Sequence, residues 1–400
     1  MALLATILAE NQGNAPAPAD APVIRVATFN VEDIRTEDLK NPGHPRLKRI
    51  AEIVQRIRPD IILINEIAYD QPGAPGVAEG DPPGLNGQRL ADNFLGAAQS
   101  PGLQPLRFRV FMAPSNTGVS SGFDLNNNRD TTRAFPPPPG PAPDGSPGKQ
   151  TPEGRAYGDD SWGFGTFPGQ YGMALLVSER FEILHSQVRT FQKFPWRAMP
   201  GALLPADPQT GAPWYSPEEV ARFPLSSKSH WDVPVKLPHG AVLHLLCSHP
   251  TPPAFDGAEQ RNKRRNHDEI RFWADYLNGA GYIVDDAGTA GGLEAGAAFV
   301  ILGDLNADPD EGNSINNPIK RFLLSHPRVN GEFVPHAPLA DEKLDIDDTA
   351  AWELRVDYVL PSRGLEVVSG GIWRPQETSP GATPVSDHFP VWIDIAVPAR

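Results

Sequence analysis

The sequence predicts an α/β fold because strand and helix patterns alternate from its first ordered segment onward. Residues 23–29 are mostly apolar, a helical apolar pattern follows over 47–57, and residues 61–64 are fully apolar. Pro59 separates the predicted helix from the second strand. Since crossover connections are right-handed, this strand-helix-strand unit makes its two strands parallel.

Further apolar stretches predict strands at 171–177, 242–247, 298–302, 356–360 and 391–396, and residues 270–277 carry a helical pattern. No linker divides this mixed order, so we expect a single domain over 23–400 after a flexible leader or linker over 1–22. Stretches rich in glycine and proline predict loop insertions near 71–88, 116–167, 200–217 and 279–297.

The composition and net charge of the chain limit the functional classes to which it can belong. Hydrophobic residues form 40% of the chain, which supports a folded protein, and no apolar run is long enough to cross a membrane. The net charge is −14, whereas proteins that grip duplex nucleic acid usually present a basic face. The charge therefore disfavours a processive nuclease and leaves small substrates open. No protein partner is implied.

The N-terminus and the single cysteine bear on the compartment. Cys247 lies in a predicted strand, so we expect a buried, inert thiol. Residues 1–13 contain a short apolar run without basic residues, and a segment rich in alanine and proline follows. We expect a secreted or periplasmic protein after signal removal, although a cytoplasmic protein with a loose N-terminus would show the same residues.

Polar side chains stand where successive apolar strands end or begin. They are Asn30, Glu66, His249, Asp304, Asn306, Asp387 and His388. Each alone also fits a structural role, such as an Asx turn at Asp304. Because parallel strands end at a shared sheet edge, we expect the group to converge. An Asp-x-Asn pair and a terminal Asp-His pair together indicate hydrolysis at phosphorus, which needs an oriented water and positive charge.

Seven motifs in order, FNVED, INE, YGMALLVS, SHP, GDLNADP, RVDYVLPS and SDHFPV, extend this pattern from residue 23 to about 397. In them the chain resembles the endonuclease/exonuclease/phosphatase superfamily of deoxyribonuclease I-like metal-dependent phosphoesterases, as a bacterial, exported member. The resemblance implies a four-layer sandwich of two packed mixed β-sheets flanked by helices. It also implies in-line attack of an activated water on phosphodiesters, here of small or lipid-like substrates.

The resemblance assigns roles to these residues. One or two Mg²⁺ or Mn²⁺ ions would be held by Glu66, with Asn30 beside it and with Glu32 and Asp387 as further ligands. The catalytic residues would be His249, Asp304, Asn306, Asp357 and His388. Asp304 would deprotonate the attacking water and Asn306 would hold a phosphoryl oxygen. The two histidines would donate hydrogen bonds to developing charge, and Asp357 would fix the His388 ring.

Two other clusters have weaker signals. We expect Lys228, His230, Arg265 and Asn266 to bind the substrate phosphate, although the last two also fit a solvated helix start. Separately, Asp124, Asn126, Asn128 and Asp130 resemble the opening of a structural Ca²⁺ loop. Its sixth position is Arg129 instead of glycine and its twelfth is Phe135, so a plain polar loop is the alternative.

Alternative functions remain open at this point. They are a nuclease acting on DNA or RNA, a phosphomonoesterase or nucleotidase, and a secreted binding module that keeps only the scaffold. The complete residue set argues against the binding module. Aromatic residues expected around the cleft, Trp162, Phe164, Trp196 and Trp231, favour a compact aryl or nucleoside diester over duplex DNA.

Overall fold

The computed structural model describes residues 21–143, 145–338, 343–374 and 385–399. Its strands are β1 (Val23–Ile34), β2 (Ile61–Ile67), β3 (Phe108–Phe111), β4 (Met173–Ser178), β5 (Glu182–Ile183), β6 (Arg189–Thr190), β7 (His230–Lys236), β8 (Val242–Ser248), β9 (Ala298–Asp304), β10 (Asp357–Pro361), β11 (Glu366–Ile372) and β12 (Val391–Ala396). The leader predicted over 1–22 lies almost wholly outside the described residues.

The helices are shorter and fewer. They are α1 (Thr36–Leu39), α2 (Pro45–Ile57), α3 (Asn86–Leu90), α4 (Pro152–Asp159), α5 (Pro217–Arg222) and α6 (Arg261–Leu277). Ala91–Leu95 and Ile319–Leu324 are π-helical, and His185–Gln187 and Trp196–Ala198 form single 3₁₀ turns. Within the described part of the chain, no helix combines the length and apolarity that crossing a bilayer would require.

The strands form two mixed sheets of six strands each. The first sheet has the order β11-β12-β1-β2-β4-β3, and the second has the order β10-β9-β8-β7-β5, with β6 also paired to β7. β1 and β2 are parallel, as the strand-helix-strand pattern predicts, and so are β8 and β9. The other pairings are antiparallel.

Alternating side chains of the central strands supply both faces of each sheet. Leu63 of β2 and Val300 of β9 point into a core between the sheets, whereas their neighbours Ile62 and Ile301 belong to outer cores. One outer core includes apolar residues of α2, and the other includes those of α6. The predicted four-layer arrangement, with two packed sheets between helices, is therefore confirmed.

Several elements differ from the sequence prediction. β7 begins at His230, so His230 and Trp231 are buried strand residues instead of members of a loop. The strand continues through Pro234, and a proline inside an apolar run weakens a strand prediction. The predicted loop 116–167 contains α4.

The close packing of β8 and β9 explains the glycine of the GDLN motif. Gly303 has a φ of 144°, and a β-carbon there would clash with the carbonyl oxygen of Ser248. β10 runs antiparallel to β9, with Asp357 paired opposite Asp304. The carboxyl ends of β8 and β9 and the start of β10 therefore lie together at one edge of the second sheet.

Candidate active site

Asn30 joins the two sheets at this edge. It is fully buried near the end of β1, and its Nδ2 donates to Glu66 Oε1 at 3.0 Å and to Asp304 Oδ2 at 2.9 Å. Glu66 comes from β2 in the first sheet, and Asp304 ends β9 in the second. The side-chain amide of Asn30 therefore holds Glu66, to which the resemblance assigns the metal, and Asp304, to which it assigns the role of base.

Asp304 receives donors from several directions. Its Oδ1 accepts the backbone N–H of Asn306 at 2.8 Å, which closes the Asp-x-Asn turn. Its Oδ2 lies 3.3 Å from His249 Nε2, and the side chain of Asn306 donates to the same oxygen at 3.3 Å. Both oxygens of this carboxylate are thus engaged before any substrate arrives.

His388 and Asp357 form a second buried pair. His388 Nδ1 donates to Asp357 Oδ2 at 2.8 Å, which directs Nε2 toward Asp304 Oδ2 at 3.6 Å. The hydroxyl of Ser386 donates to the carbonyl of Asn30 and accepts the backbone N–H of His388. The C-terminal segment is thereby fixed against the end of β1.

Left-handed backbone conformations cluster around the site. Glu32, Asp33, Glu66 and Asn306 have φ values of 51°, 53°, 65° and 53°. Such values are uncommon for residues other than glycine, and they persist where surrounding structure imposes them. The pairing of β1 with β2 also shifts register between Asn30 and Ile34, so the strand bulges where it delivers Glu32.

On the side of the site formed by the first sheet, the carboxylate of Asp387 repels those of Glu66 and Glu32. Burial, together with the negative charge of Asp387, raises the pKa of Glu66 to about 7. Burial and the same Asp387 also raise the pKa of Glu32. Two carboxylates with raised pKa values beside the carboxylate of Asp387 are a set of oxygen donors that suits a hard divalent cation. The residues present therefore fit a metal of the Mg²⁺ or Mn²⁺ type.

On the side of the site formed by the second sheet, a cation and hydrogen-bond donors surround the carboxylate of Asp304. Burial works to raise the pKa of Asp304, but the charge of His388 and the contacts from His249 and Asn30 outweigh it, and the pKa falls below its usual range. Burial opposes the charging of His388, yet Asp357 and Asp304 raise its pKa to about 10. Asp304 is therefore held ionised, and His388 is held as a cation beside it.

Two groups of side chains place ligand atoms close enough to share a cation. The first contains Glu66, His249 and Asp304, and the second contains Asp304, Asp357 and His388. Burial and the nearby charge of Lys228 lower the pKa of His249 to about 4, so its ring is neutral. Since His388 pairs with Asp357 as a cation and Asp304 is already bonded by protein donors, Glu66 with the neighbouring Glu32 and Asp387 is the better site for a metal.

The predicted substrate-binding residues are separated by the structure. Lys228 and Arg265 line a cleft of about 950 Å³ that also includes Glu66, Asp304 and His388. His230 instead packs against Phe272 and Trp273 and bonds the carbonyl of Glu269. Asn266 is fully buried and donates to the carbonyls of Thr251 and Leu305. The last two side chains lie outside the residues that line the cleft.

The segment resembling a Ca²⁺ loop is folded on its own backbone. Asp124 accepts the N–H groups of Asn128 and Arg129, Asn126 also accepts that of Asn128, and Asn128 accepts that of Asp130. These side-chain oxygens thus form Asx-type turns in an exposed loop. A calcium role for the segment stays a prediction.

Sequence reasoning missed two residues beside the site. Arg46 of α2 is buried, and its guanidinium donates to the carbonyls of Val31, Glu32 and Val385, which ties the β1 bulge to the C-terminal segment. Trp352 packs edge-on against the His388 ring, with ring centroids 4.8 Å apart. No local pattern marks either residue, because both contacts join segments distant in sequence.

The chain matches a protein-family model and resembles solved structures of low sequence identity. The model of the Endonuclease/Exonuclease/phosphatase family matches residues 27–388. No curated protein matches the chain. The solved structures that it resembles include an endonuclease/exonuclease/phosphatase from Beutenbergia cavernae, with 16% identity, a TM-score of 0.48, and coverage of 94% of this chain and 72% of that one.

Two further structures show similar relationships. The human Nocturnin catalytic domain has 14% identity and a TM-score of 0.46, with 94% of each chain covered. A mannosyl-6-phosphatase of Bacteroides thetaiotaomicron has 14% identity and a TM-score of 0.42, with 94% of this chain and 100% of that chain covered. The family model spans most of the chain and includes every residue of the two ligand groups. The protein belongs to the endonuclease/exonuclease/phosphatase family.

Proposed function

We propose that the protein is a divalent-metal-dependent phosphodiesterase that hydrolyses small or lipid-like phosphodiesters by in-line attack of water. The observation that supports this most is the position of Asp304, held ionised by its donors, beside Glu66, whose pKa is raised by burial and by the charge of Asp387. Phosphoryl transfer depends mainly on positioning and charge stabilisation, and this arrangement supplies both at one cleft.

Each side chain takes a role from its contacts. Asp304 accepts the proton of the attacking water, since it is ionised and its position is fixed by Asn30 and Asn306. His388, charged through Asp357, donates toward the developing negative charge. The neutral His249 lies 3.3 Å from Asp304 and contributes a further donor.

Glu66, with Asn30, Glu32 and Asp387 around it, would hold the metal. When bound, a divalent cation supplies Lewis-acid stabilisation of the phosphoryl oxygens. The protein's own part is to keep these carboxylates together despite their mutual repulsion. The bonds from Asn30 Nδ2 and from the backbone N–H of Asp33 to Glu66 do this from opposite oxygens.

Lys228 supports the orientation of the substrate. Its ammonium group is buried, lines the cleft, and makes one long hydrogen bond of 3.4 Å to the carbonyl of Pro250. Burial lowers the pKa of Lys228, and the charges of Glu269, Glu66 and Asp304 work against that shift, so its ammonium form is favoured by acidic groups that include those of the reacting centre. The remaining protons of this cation are suited to a phosphoryl oxygen.

The substrate is proposed to be small because the chain as a whole carries an excess of acidic residues. Acidic residues number 49 against 35 basic ones, and binding duplex nucleic acid depends on many lysine and arginine contacts. A nuclease and a phosphomonoesterase use the same catalytic groups, so they are the alternatives that substrate tests must separate. We also propose that the protein acts outside the cytoplasm.

The experiment compares three substrates with metal-stripped protein resupplied with Mg²⁺ or Mn²⁺. We expect bis(p-nitrophenyl) phosphate to be hydrolysed faster than p-nitrophenyl phosphate and faster than plasmid DNA is nicked, and we expect EDTA to abolish all activity. Faster monoester hydrolysis would favour the phosphomonoesterase. Efficient nicking with a steep inverse salt dependence would favour the nuclease, and full activity in EDTA would refute the metal requirement.

A variant pair tests the role of Lys228 in the same assay. Lys228→Met should raise KM for the diester by about tenfold, because one charge-assisted contact to phosphate is lost. The exposed Lys193 provides the matched control, and Lys193→Met should leave KM unchanged. An unchanged KM in Lys228→Met would remove the residue from the substrate site.

A further inference from the structure

The exposed aromatic side chains of the protein are gathered at the mouth of the active-site cleft. Among the described residues, the large apolar side chains that are strongly exposed include three aromatic ones, Phe164, Phe255 and Trp352, and all three line this cleft. The others are aliphatic and lie outside the cleft lining: Val23, Val284, Ile346 and Val368. The concentration of aromatic rings at one opening is therefore a feature of the site.

Phe255 is exposed at the cleft mouth on a left-handed backbone conformation. Its side chain is 91% exposed, and its backbone has a φ of 58°. A bulky residue in this region of φ is strained, and an exposed phenyl ring forgoes the stabilisation that burial would give. Both costs fall on a loop that leads directly from His249, at 250–257, into the cleft lining. Backbone strain of this kind is found at ligand-binding positions.

Trp352 brings an aromatic surface next to the reacting centre. Its ring meets His388 edge-on at 4.8 Å between centroids, with an interplanar angle of 89°. It is nevertheless 44% exposed, so it touches the catalytic histidine and still presents an open surface to the cleft. A group lying on Trp352 would sit beside the phosphoryl group on which His388 acts.

We infer that this aromatic mouth, formed by Phe164, Phe255 and Trp352, binds a planar aromatic group of the substrate, an aryl or nucleobase moiety attached to the scissile phosphate. The inference rests on the proposed function and narrows its substrate class. A cleft of about 950 Å³ has room for such a group beside a phosphate. Stacking on aromatic side chains tolerates different ring systems, because every planar ring presents a π-face.

The test uses binding instead of turnover. Phenylphosphonate and methylphosphonate carry the same charged group and cannot be hydrolysed at the carbon–phosphorus bond, so they differ only in the ring. We expect Mn²⁺-loaded wild-type protein to bind phenylphosphonate about tenfold more tightly by isothermal titration calorimetry. Phe255→Ala and Trp352→Leu should bring this ratio close to one and leave methylphosphonate affinity nearly unchanged.

A control variant and the alternative outcomes show whether the aromatic-binding inference or the proposed function has failed. Val368→Ala removes an exposed apolar side chain from β11, outside the cleft lining, and should keep the wild-type ratio. Hexylphosphonate binding as tightly as phenylphosphonate, or Phe255-dependent binding to phosphatidylcholine vesicles, would overturn the inference in favour of a lipid surface. Equal affinity for the phenyl and methyl compounds would also overturn it. Failure of both phosphonates to bind, with no diester hydrolysis, would instead refute the proposed function.

Discussion

The two sides of the active site use the same kind of residue in opposite electrical settings. Glu66, on the first-sheet side, has a pKa raised to about 7 by burial and by the charge of Asp387. Asp304, on the second-sheet side, is also buried, yet the charge of His388 and donors from His249 and Asn30 lower its pKa. The side-chain amide of Asn30 donates a hydrogen bond to each of these carboxylates.

The difference separates two uses of a carboxylate. A carboxylate whose charge is balanced by protein donors stays ionised without a metal, so it can accept a hydrogen bond from the attacking water and orient it. A carboxylate whose neighbours are also acidic needs a cation from outside, and so it suits a metal ligand. Substitution of Asp304 should therefore change kcat, and substitution of Glu66 should change the metal concentration for half-maximal activity. If both substitutions changed the same quantity, the two carboxylates would not differ as described.

The largest effect is expected from Asp304→Asn. The amide keeps the shape but cannot accept the proton of water, so kcat should fall by about 10²–10⁴-fold. The metal concentration for half-maximal activity should change little. Steady-state rates across a Mn²⁺ titration measure both quantities. Asp310→Asn, at an exposed position directly after the same motif, is the control and should retain wild-type turnover. Near-normal kcat in Asp304→Asn would place the base elsewhere.

A smaller and different effect is expected from Glu66→Gln. Loss of this charge should raise the metal concentration for half-maximal activity by about tenfold or more, while saturating metal restores much of kcat. Glu37→Gln removes an exposed carboxylate of α1 and serves as the matched control. If the activation curve of Glu66→Gln coincided with that of the wild type, the two sides of the site would not differ as described.

The smallest effect is expected at a histidine whose ring bonds a backbone carbonyl instead of a carboxylate. Burial lowers the pKa of His230 to about 4, in contrast to His388. A lowered pKa means that the unfolded chain binds the proton first, so stability is lost as pH falls from about 6.5 to about 4. The loss through this residue amounts to about 3 kcal/mol at most.

Urea unfolding of wild type and His230→Gln at pH 7 and pH 5 measures this contribution. The variant should be less stable at both pH values because ring packing against Phe272 and Trp273 is lost. Its stability should nevertheless fall less between the two pH values than that of the wild type. Parallel losses in both proteins would show that His230 does not titrate in the unfolding reaction.

Much of the architecture was predictable because it depends on patterns within single segments. The apolar strands and the amphipathic helix over 47–57 bury their faces wherever they pack, so the parallel β1-α2-β2 unit followed from the sequence. The proximity of Asn30 and Glu66 followed as well, because the parallel strands β1 and β2 bring them to a common edge. Asp304 joins them through the packing of the second sheet on the first.

The environment of each side chain was decided by the tertiary structure. His230 and Asn266 are buried away from the cleft, and Trp196 and Trp231 lie in hydrophobic cores instead of around the opening. Of the four aromatic residues expected there, Phe164 lines the cleft, and Phe255 and Trp352 join it from other loops.

The sequence by itself determined which polar groups follow each strand, since that order is local. The structure alone decided which loop residues meet them. A loop side chain is buried or exposed according to segments far away in the chain, as the contact of Trp352 with His388 and the bonds of Arg46 to Val385 show. Such contacts leave no periodic pattern, because no repeating backbone geometry fixes where a loop side chain points.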